Sequence, residues 1–357
     1  MATSSDKTHA TLLNTWLAAP RYANVRLVAR LADPILGNAD SSQAYVFIPD
    51  LHLVSDAKLH AFSYGTNHWE TLYRSMFRLA QTRQTLTQDG VTLRVTQMGD
   101  LFDLWRDGHS KTRNSVQEIV KSWSNLLKLL YRAPNDPNCL KTSLLVGNHD
   151  SQMAGSAGWN LRIFYPEESA KAFALALHGD WFDPLEQLPD WLSRAVVSIA
   201  GSAPKAKSYP VGEMQELLDR NAKRAGGFCD YIQAQEPAAI GAALPCVAAS
   251  ALPLEHNVLR ASRGQTHEFL ANAVKFVDTS LATPGTSPGF TNLKLIVMGH
   301  SHHPRIAVDD TRDPPLVLLD TGAWIERYLD ADGRTGPNCQ IAVVCGNDAR
   351  IYQFDPM

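Results

Sequence analysis

Short apolar runs punctuate this chain, and five of them stop at a cluster of aspartate, histidine or asparagine. Ala44-Tyr45-Val46-Phe47-Ile48 is rich in β-forming residues and ends at Pro49-Asp50, which predicts a buried strand. Val91 to Met98 predicts a second strand, ending at Gly99-Asp100, and Ser143 to Val146 a third, ending at Gly147-Asn148. Ala172 to Leu177 runs into His178, and Leu293 to Met298 runs into Gly299-His300. Pro315–Asp320, Gln340–Val344 and Arg350–Phe354 read as further strands. Apolar positions recur at helical spacing over 67–87 (Trp69, Leu72, Tyr73, Met76, Leu79) and over 115–131 (Val116, Ile119, Val120, Trp123, Leu126, Leu127, Leu130). Residues 1–39 are mixed and carry no readable chemistry.

Strands alternating with helices predict an α/β architecture on a largely parallel or mixed sheet. In such folds ligands collect beyond the carboxyl ends of the strands, which is where all five clusters fall. The expected core is 40–184 together with 291–357. The stretch 185–290 is rich in alanine and proline, lacks the run-then-ligand pattern, and holds amphipathic pieces at Gly212–Arg224 and Gln265–Val277. It reads either as an insertion capping the site or as further helices of the same core.

Composition narrows the class. At 45% hydrophobic in 357 residues, the chain can bury a sizeable core. A net charge of −3 gives no global field that would draw nucleic acid. The five cysteines (Cys139, Cys229, Cys246, Cys339, Cys345) are widely spaced without a CxxC pair, which predicts free thiols in a reducing compartment. No basic leader precedes a long apolar stretch, and no run approaches the length of a membrane span, so a cytoplasmic protein is expected.

The clusters are rich in metal-ligand types. Asp50 and His52, two apart at a strand end, can grip one cation together. Alone, that pair reads sooner as a turn aspartate and a half-buried histidine. Asp100 follows a glycine and has two oxygens, which suits it to bridge two cations; alone, it would read as a helix N-cap. Asn148 offers a neutral oxygen ligand. His149 beside it is better placed as an acid, since its ordinary pKa allows proton donation near neutrality, and Asp103 can hold its far nitrogen. His178 ends a strand, and His300 and His302, again two apart after a glycine, can face one pocket. Asp150 and Asp180 read as loop-capping carboxylates with at most an orienting role.

Taken in order, D-x-H, G-D-x-x-D, G-N-H-D, H and G-H-x-H, spanning residues 50 to 302, resemble the motif set of the calcineurin-like metallophosphoesterase superfamily. That resemblance implies a four-layer α/β fold, a β-sandwich flanked by helices. It implies one divalent metal on Asp50, His52, Asp100 and His302, and a second on Asp100, Asn148, His178 and His300. His149 would be the catalytic histidine and Asp103 its carboxylate partner. The implied activity is hydrolysis of a phosphoester or pyrophosphate by a metal-bridging hydroxide, with Mn²⁺ the first choice of metal and Fe²⁺/Fe³⁺ or Zn²⁺ the alternatives. Asp103-Leu104-Trp105 stands where serine/threonine protein phosphatases carry Asp-Arg-Gly, which argues against that branch. The strings FIPDLHL, GDLFDLW and HGDWFD look similar to UDP-2,3-diacylglucosamine hydrolases, although that group usually carries arginine where His149 stands. The expected substrate is a phosphorylated small molecule or a lipid-linked phosphoester. The competing readings are a metal-dependent nuclease, for which Lys205, Lys207 and Arg220 to Arg224 are too sparse a basic set, and a non-catalytic binding module. Trp105, Trp181, Phe182 and Trp324 are candidates for an apolar approach to the metals, with core packing the commoner role of such residues. Arg106, Arg305 and Arg327 are candidates for holding a second phosphate.

Overall fold

The predicted apolar runs occupy inner positions of two β-sheets. The computed structural model of the chain describes residues 3–17, 23–38, 40–55, 66–104, 112–166, 172–182, 258–260, 268–278, 293–302, 304–329 and 335–356. Helix α1 (Ser4–Leu17) leads into β1 (Ala23–Ala32) and β2 (Gln43–Ile48), followed by α2 (Thr66–Gln88), β3 (Thr92–Gln97), α3 (Thr112–Ser122), α4 (Ser124–Leu127) and β4 (Ser143–Leu145). Next come β5 (Trp159–Asn160), β6 (Arg162–Tyr165), β7 (Ala174–Leu177), β8 (Val258–Arg260) and helix α5 (Glu268–Phe276). The chain closes with β9 (Leu295–Met298), β10 (Arg305–Asp309), β11 (Leu316–Asp320), β12 (Trp324–Leu329), β13 (Thr335–Cys345) and β14 (Asp348–Pro356).

Among the described residues the first sheet runs β1-β14-β13-β2-β3-β4-β5 with β12 beside β13, and the second runs β6-β7-β9-β11-β10-β8. Strands β2, β3 and β4 are parallel, as are β7, β9 and β11, so each sheet sends several carboxyl ends to one edge. Period-two alternation sets the layers. Tyr45 and Phe47 of β2 share a buried cluster with Leu295 and Val297 of β9 and with Val317 and Leu319 of β11, which forms the layer between the sheets. The opposite face of β2 (Ala44, Val46, Ile48) packs against Leu72, Met76 and Leu79 of α2 and Leu12 and Trp16 of α1. Ile296, Met298, Leu316 and Leu318, facing away from the first sheet, pack against Leu270 and Ala273 of α5. Each fully buried Leu, Ile or Phe contributes roughly 1.5–3 kcal/mol, so these layers dominate the favourable side of folding. The result is a mixed α/β architecture built on two sheets, compatible with an α/β sandwich.

Two departures from the sequence pattern have physical causes. The helical period over 115–131 is interrupted at Trp123, where the indole N–H donates to Val54 O at 2.8 Å; beyond α4 the backbone widens into a π turn over Lys128–Arg132. Strand β1, which the apolar pattern does not predict, pairs along β14 at the sheet edge. Its apolar alternation is broken by Arg26, Arg30 and an exposed Leu27, as an edge strand permits. Strand β8 and helix α5 come from the stretch 185–290, and β8 joins the second sheet beside β10. The expected helix at Gly212–Arg224 lies outside the described residues. Cys139, Cys339 and Cys345 are unbonded and buried, while Cys229 and Cys246 lie outside the described residues. No helix among the described residues is long and apolar enough to cross a membrane.

Helix α1 is docked by a fully buried histidine far from the clusters. His9 Nε2 donates to the carbonyl of Asp348 at 3.3 Å, so Nδ1 is left to accept from the Tyr352 hydroxyl at 3.1 Å. A neutral ring makes both contacts, with the tyrosine hydroxyl as the donor to Nδ1. Burial, then the nearby Arg350 charge, push His9 down to about 4 against the opposing pull of Asp348. A folded-state value below the unfolded value means that stability is complete above about pH 6.5 and is lost as pH falls toward 4, by about 3 kcal/mol. Urea midpoints measured between pH 7 and 4 should therefore fall less steeply in His9→Gln than in the wild type. Parallel pH dependences would contradict this account.

Candidate metal centre

Five loops meet where the carboxyl edges of the two sheets come together. Strands β2, β3 and β4 deliver Asp50 and His52, Asp100 and Asp103, and Asn148 and His149 from the first sheet; β7 and β9 deliver His178, His300 and His302 from the second. The first two loops are zipped by backbone bonds: Leu51 N and His52 N donate to Asp100 O, Leu53 N to Leu101 O, and Asp103 N to Leu53 O. Trp324 N donates to Asp50 O and ties the start of β12 beneath them.

On one side of the site, His52 Nε2 lies 3.1 Å from His302 Nε2, and Asp50 Oδ2 lies 3.4 Å from the same His302 nitrogen. On the other, His178 Nε2 lies 3.0 Å from Asn148 Oδ1, 3.3 Å from His300 Nδ1 and 3.4 Å from Asp100 Oδ2. Asp100 joins the two sides, because its Oδ2 is also 3.6 Å from His52 Nε2. The His178 tautomer is set from behind: Nδ1 donates to Met98 O at 3.0 Å, which aims the Nε2 lone pair into the site. Electron-pair donors thus face one another in a buried space, and Asp50 Oδ1 has no hydrogen-bond partner among the described residues. A cation could satisfy these donors together. Donor atoms of Asp50, His52 and His302 lie within 4.8 Å of one another, as do those of Asp50, Asp100 and His178, and each group could hold a metal ion.

The electrostatics point the same way. Burial alone would raise Asp100, yet the His178 and His149 imidazoles hold its carboxyl well below the usual range. Burial works against charge on His178, but Asp100 and Asp50 raise it well above an ordinary imidazole. Positive charge is strongly favoured at that point. His302 goes the other way, lowered by burial in spite of Asp50.

His149 stands beside this group with a partner of its own. Its Nδ1 is 3.0 Å from Asp103 Oδ1, and its Nε2 is 4.0 Å from Asp100 Oδ2. Burial opposes a charged ring, but Asp100 and Asp103 together raise His149 above its ordinary value. The backbone N–H of His149 donates to Asp100 Oδ1 at 2.8 Å, so the same residue also orients the carboxylate between the two sides.

Backbone strain collects here. His52, Asp100, His300 and His302 all have positive φ, between 47° and 66°. Each left-handed non-glycine residue costs roughly 1–2 kcal/mol and persists only where its surroundings over-determine it. These residues lie beyond the strand ends, so His52 comes within reach of Asp50, His302 of His52, and His300 of His178 through left-handed turns. The strand alternation expected from the two-residue spacing is not what brings them together. Glycines open the necessary space. A Cβ on Gly99 would sit 2.5 Å from His178 Nδ1, one on Gly147 2.5 Å from Asp100 N, and one on Gly299 against Asp50 Oδ1.

All nine candidate residues, Asp50, His52, Asp100, Asp103, Asn148, His149, His178, His300 and His302, are therefore placed at one locus. Asp150 does more than cap a loop. Its Oδ1 accepts from Gly147 N at 2.7 Å and its Oδ2 from Phe102 N at 3.2 Å, which straps the second and third motifs together. Burial and the nearby Asp100 charge push it up to about 8, against the pull of those two N–H donors. Gln97 carries no signal in the sequence; its buried amide donates to Gly99 O at 2.5 Å and accepts from Gly99 N, shaping the turn into Asp100. Among the aromatic candidates, Phe182 and Trp324 are fully buried in the core, while Trp105 and the Trp181 side chain lie outside the described residues. Arg305 is tied to Asp320; Arg106, the Arg327 side chain, Lys205, Lys207 and Arg220 to Arg224 lie outside the described residues. No protein-family model and no curated protein matches the chain.

Proposed function

We propose that this protein is a metal-dependent phosphoesterase of the calcineurin-like type, hydrolysing a phosphoester or pyrophosphate bond in a small-molecule or lipid-linked substrate. One observation carries the reading. Donors from five segments, His52 and His302 among them 250 residues apart, converge in the order and spacing of that motif set, with an imidazole–carboxylate pair beside them. The four-layer form of the sandwich belongs to the same proposal, supported by helices packed outside each sheet.

Asp50, His52, Asp100 and His302 would hold one divalent cation, and Asp100, Asn148, His178 and His300 a second, with manganese first in line for this oxygen and imidazole set. Bound there, the cations supply Lewis acidity toward phosphoryl oxygens and a lowered pKa for water. The chain's own residues do the rest. Asp103 fixes the His149 ring by taking Nδ1–H, which leaves Nε2 facing the site. Asp100 and Asp103 raise His149 above its ordinary value, which favours the protonated ring that would deliver a proton to the leaving oxygen. Glycines at 99, 147 and 299 let backbone approach the donors without a side chain between.

With Mn²⁺ supplied, the wild type should hydrolyse at least one class among phosphomonoesters, phosphodiesters, cyclic nucleotides and nucleoside-diphosphate sugars. His149→Ala should lower that turnover by about 10²- to 10⁴-fold while retaining Mn²⁺ uptake. Inactivity of the wild type against every class, with Mn²⁺ bound, would leave a binding module as the better reading. An undiminished rate in the variant would remove His149 from the chemistry.

A further inference from the structure

The loop carrying His300 and His302 leaves β9 after Met298 and re-enters the second sheet as β10 at Arg305. Strand β11 lies between those two strands, so the loop crosses over its carboxyl end. Asp320, the last residue of β11, is fully buried there and is the register partner of Met298 on one side and Arg305 on the other. Its Oδ2 accepts a short hydrogen bond from the hydroxyl of Ser301, the residue between the two histidines. The Arg305 guanidinium reaches the same carboxylate oxygen at 3.3 Å and Ser301 Oγ at 3.2 Å. Gly322 N donates to the other oxygen at 3.2 Å.

Resting on the metal-centre reading above, we propose that Ser301, Asp320 and Arg305 form a clamp that sets His300 and His302 in their ligating geometry, Ser301 and Asp320 being positioning residues. The hydroxyl has one proton to give and lone pairs to receive. It gives the proton to Asp320 and receives from Arg305, so each member of the trio has its partner. His300 and His302 both sit at positive φ on either side of Ser301, at 66° and 58°. Left to itself, that backbone relaxes toward ordinary φ and swings the rings apart. Met298 O adds a second hold by accepting from both the backbone N–H and the hydroxyl of Thr321. None of the trio is a candidate ligand, so its effect on the cations passes through the loop.

Mn²⁺ titrated into metal-stripped full-length protein, with free Mn²⁺ followed by electron paramagnetic resonance, tests the clamp. Ser301→Ala and Asp320→Asn should bind Mn²⁺ about 10- to 100-fold more weakly, the usual effect of losing a group that orients a ligand. Ser301→Thr keeps the hydroxyl and should restore near-wild-type affinity. Circular dichroism accompanies each titration; if Asp320→Asn fails to fold, the serine pair decides. Unchanged affinity in Ser301→Ala, with normal uptake by the wild type, overturns the clamp alone. Absence of Mn²⁺ uptake by the wild type overturns the metal centre and the clamp together.

Discussion

Asp100→Asn is expected to leave a folded protein that takes up little metal and turns over substrate on the order of 10³-fold more slowly or worse. The substitution is nearly isosteric, and the amide oxygen can still accept from His149 N, the bond now made by Oδ1 at 2.8 Å. What changes is the atom at Oδ2. A carboxylate oxygen facing His178 Nε2 at 3.4 Å and His52 Nε2 at 3.6 Å becomes an amide nitrogen. That nitrogen has no lone pair for a cation and two protons to give. The negative charge that holds His178 well above its ordinary value is lost at the same time. Both sides of the site lose the donor they share, so neither half survives alone. Bound metal per chain by elemental analysis, together with the Mn²⁺-dependent rate, checks this; wild-type values for both would remove Asp100 from the centre.

The second large effect is steric. Gly147→Ala and Gly299→Ala each add one methyl group, and neither glycine has the positive φ that would penalise alanine by itself. The added Cβ at 147 would lie 2.5 Å from Asp100 N and 2.8 Å from its Cγ, and also overlap Oδ1. At 299 it would press on Asp50 Oδ1, with Cγ 3.2 Å away. The carboxylates are fully buried and held by backbone donors, so they have nowhere to retreat. A misplacement of the order of 1 Å costs about 10²-fold in rate, and each variant should lose at least that. Gly90→Ala separates this from backbone strain, since Gly90 has a φ of +79° and a methyl group added there would meet nothing within 4 Å. It should lose a little stability and no activity. Equal rates in the wild type and in the variants at 147 and 299 would show that the pocket yields more easily than its contacts imply.

These two cases also mark how much of the site could be read in advance. Gly99-Asp100, Gly147-Asn148 and Gly299-His300 stand out because each is local: a buried strand, then a small residue, then a donor. The expectation that Asp103 would hold His149 came with the resemblance of the motif set, and the structure puts the two 3.0 Å apart. Strand β1 was illegible because an edge strand tolerates Arg26, Arg30 and an exposed Leu27, which erase the alternation. The break at Trp123 was illegible because its cause, Val54 O, comes from a distant loop. Asp320 carried no signal at all: an aspartate closing a strand reads as a turn residue until Ser301 and Arg305 are seen against it.

The chain by itself determined which donors exist and that each follows a buried strand, since apolar runs, glycines and side-chain type are properties of a few neighbouring residues. Only the tertiary structure decided that His52 meets His302 across 250 residues, that His52, Asp100, His300 and His302 turn left-handed, and that Asp320 lies beneath the last loop. Those outcomes depend on β11 lying between β9 and β10 and on the two sheets packing with their carboxyl edges together. Strand order and sheet packing are set by the sum of many distant contacts, which no local stretch of sequence contains.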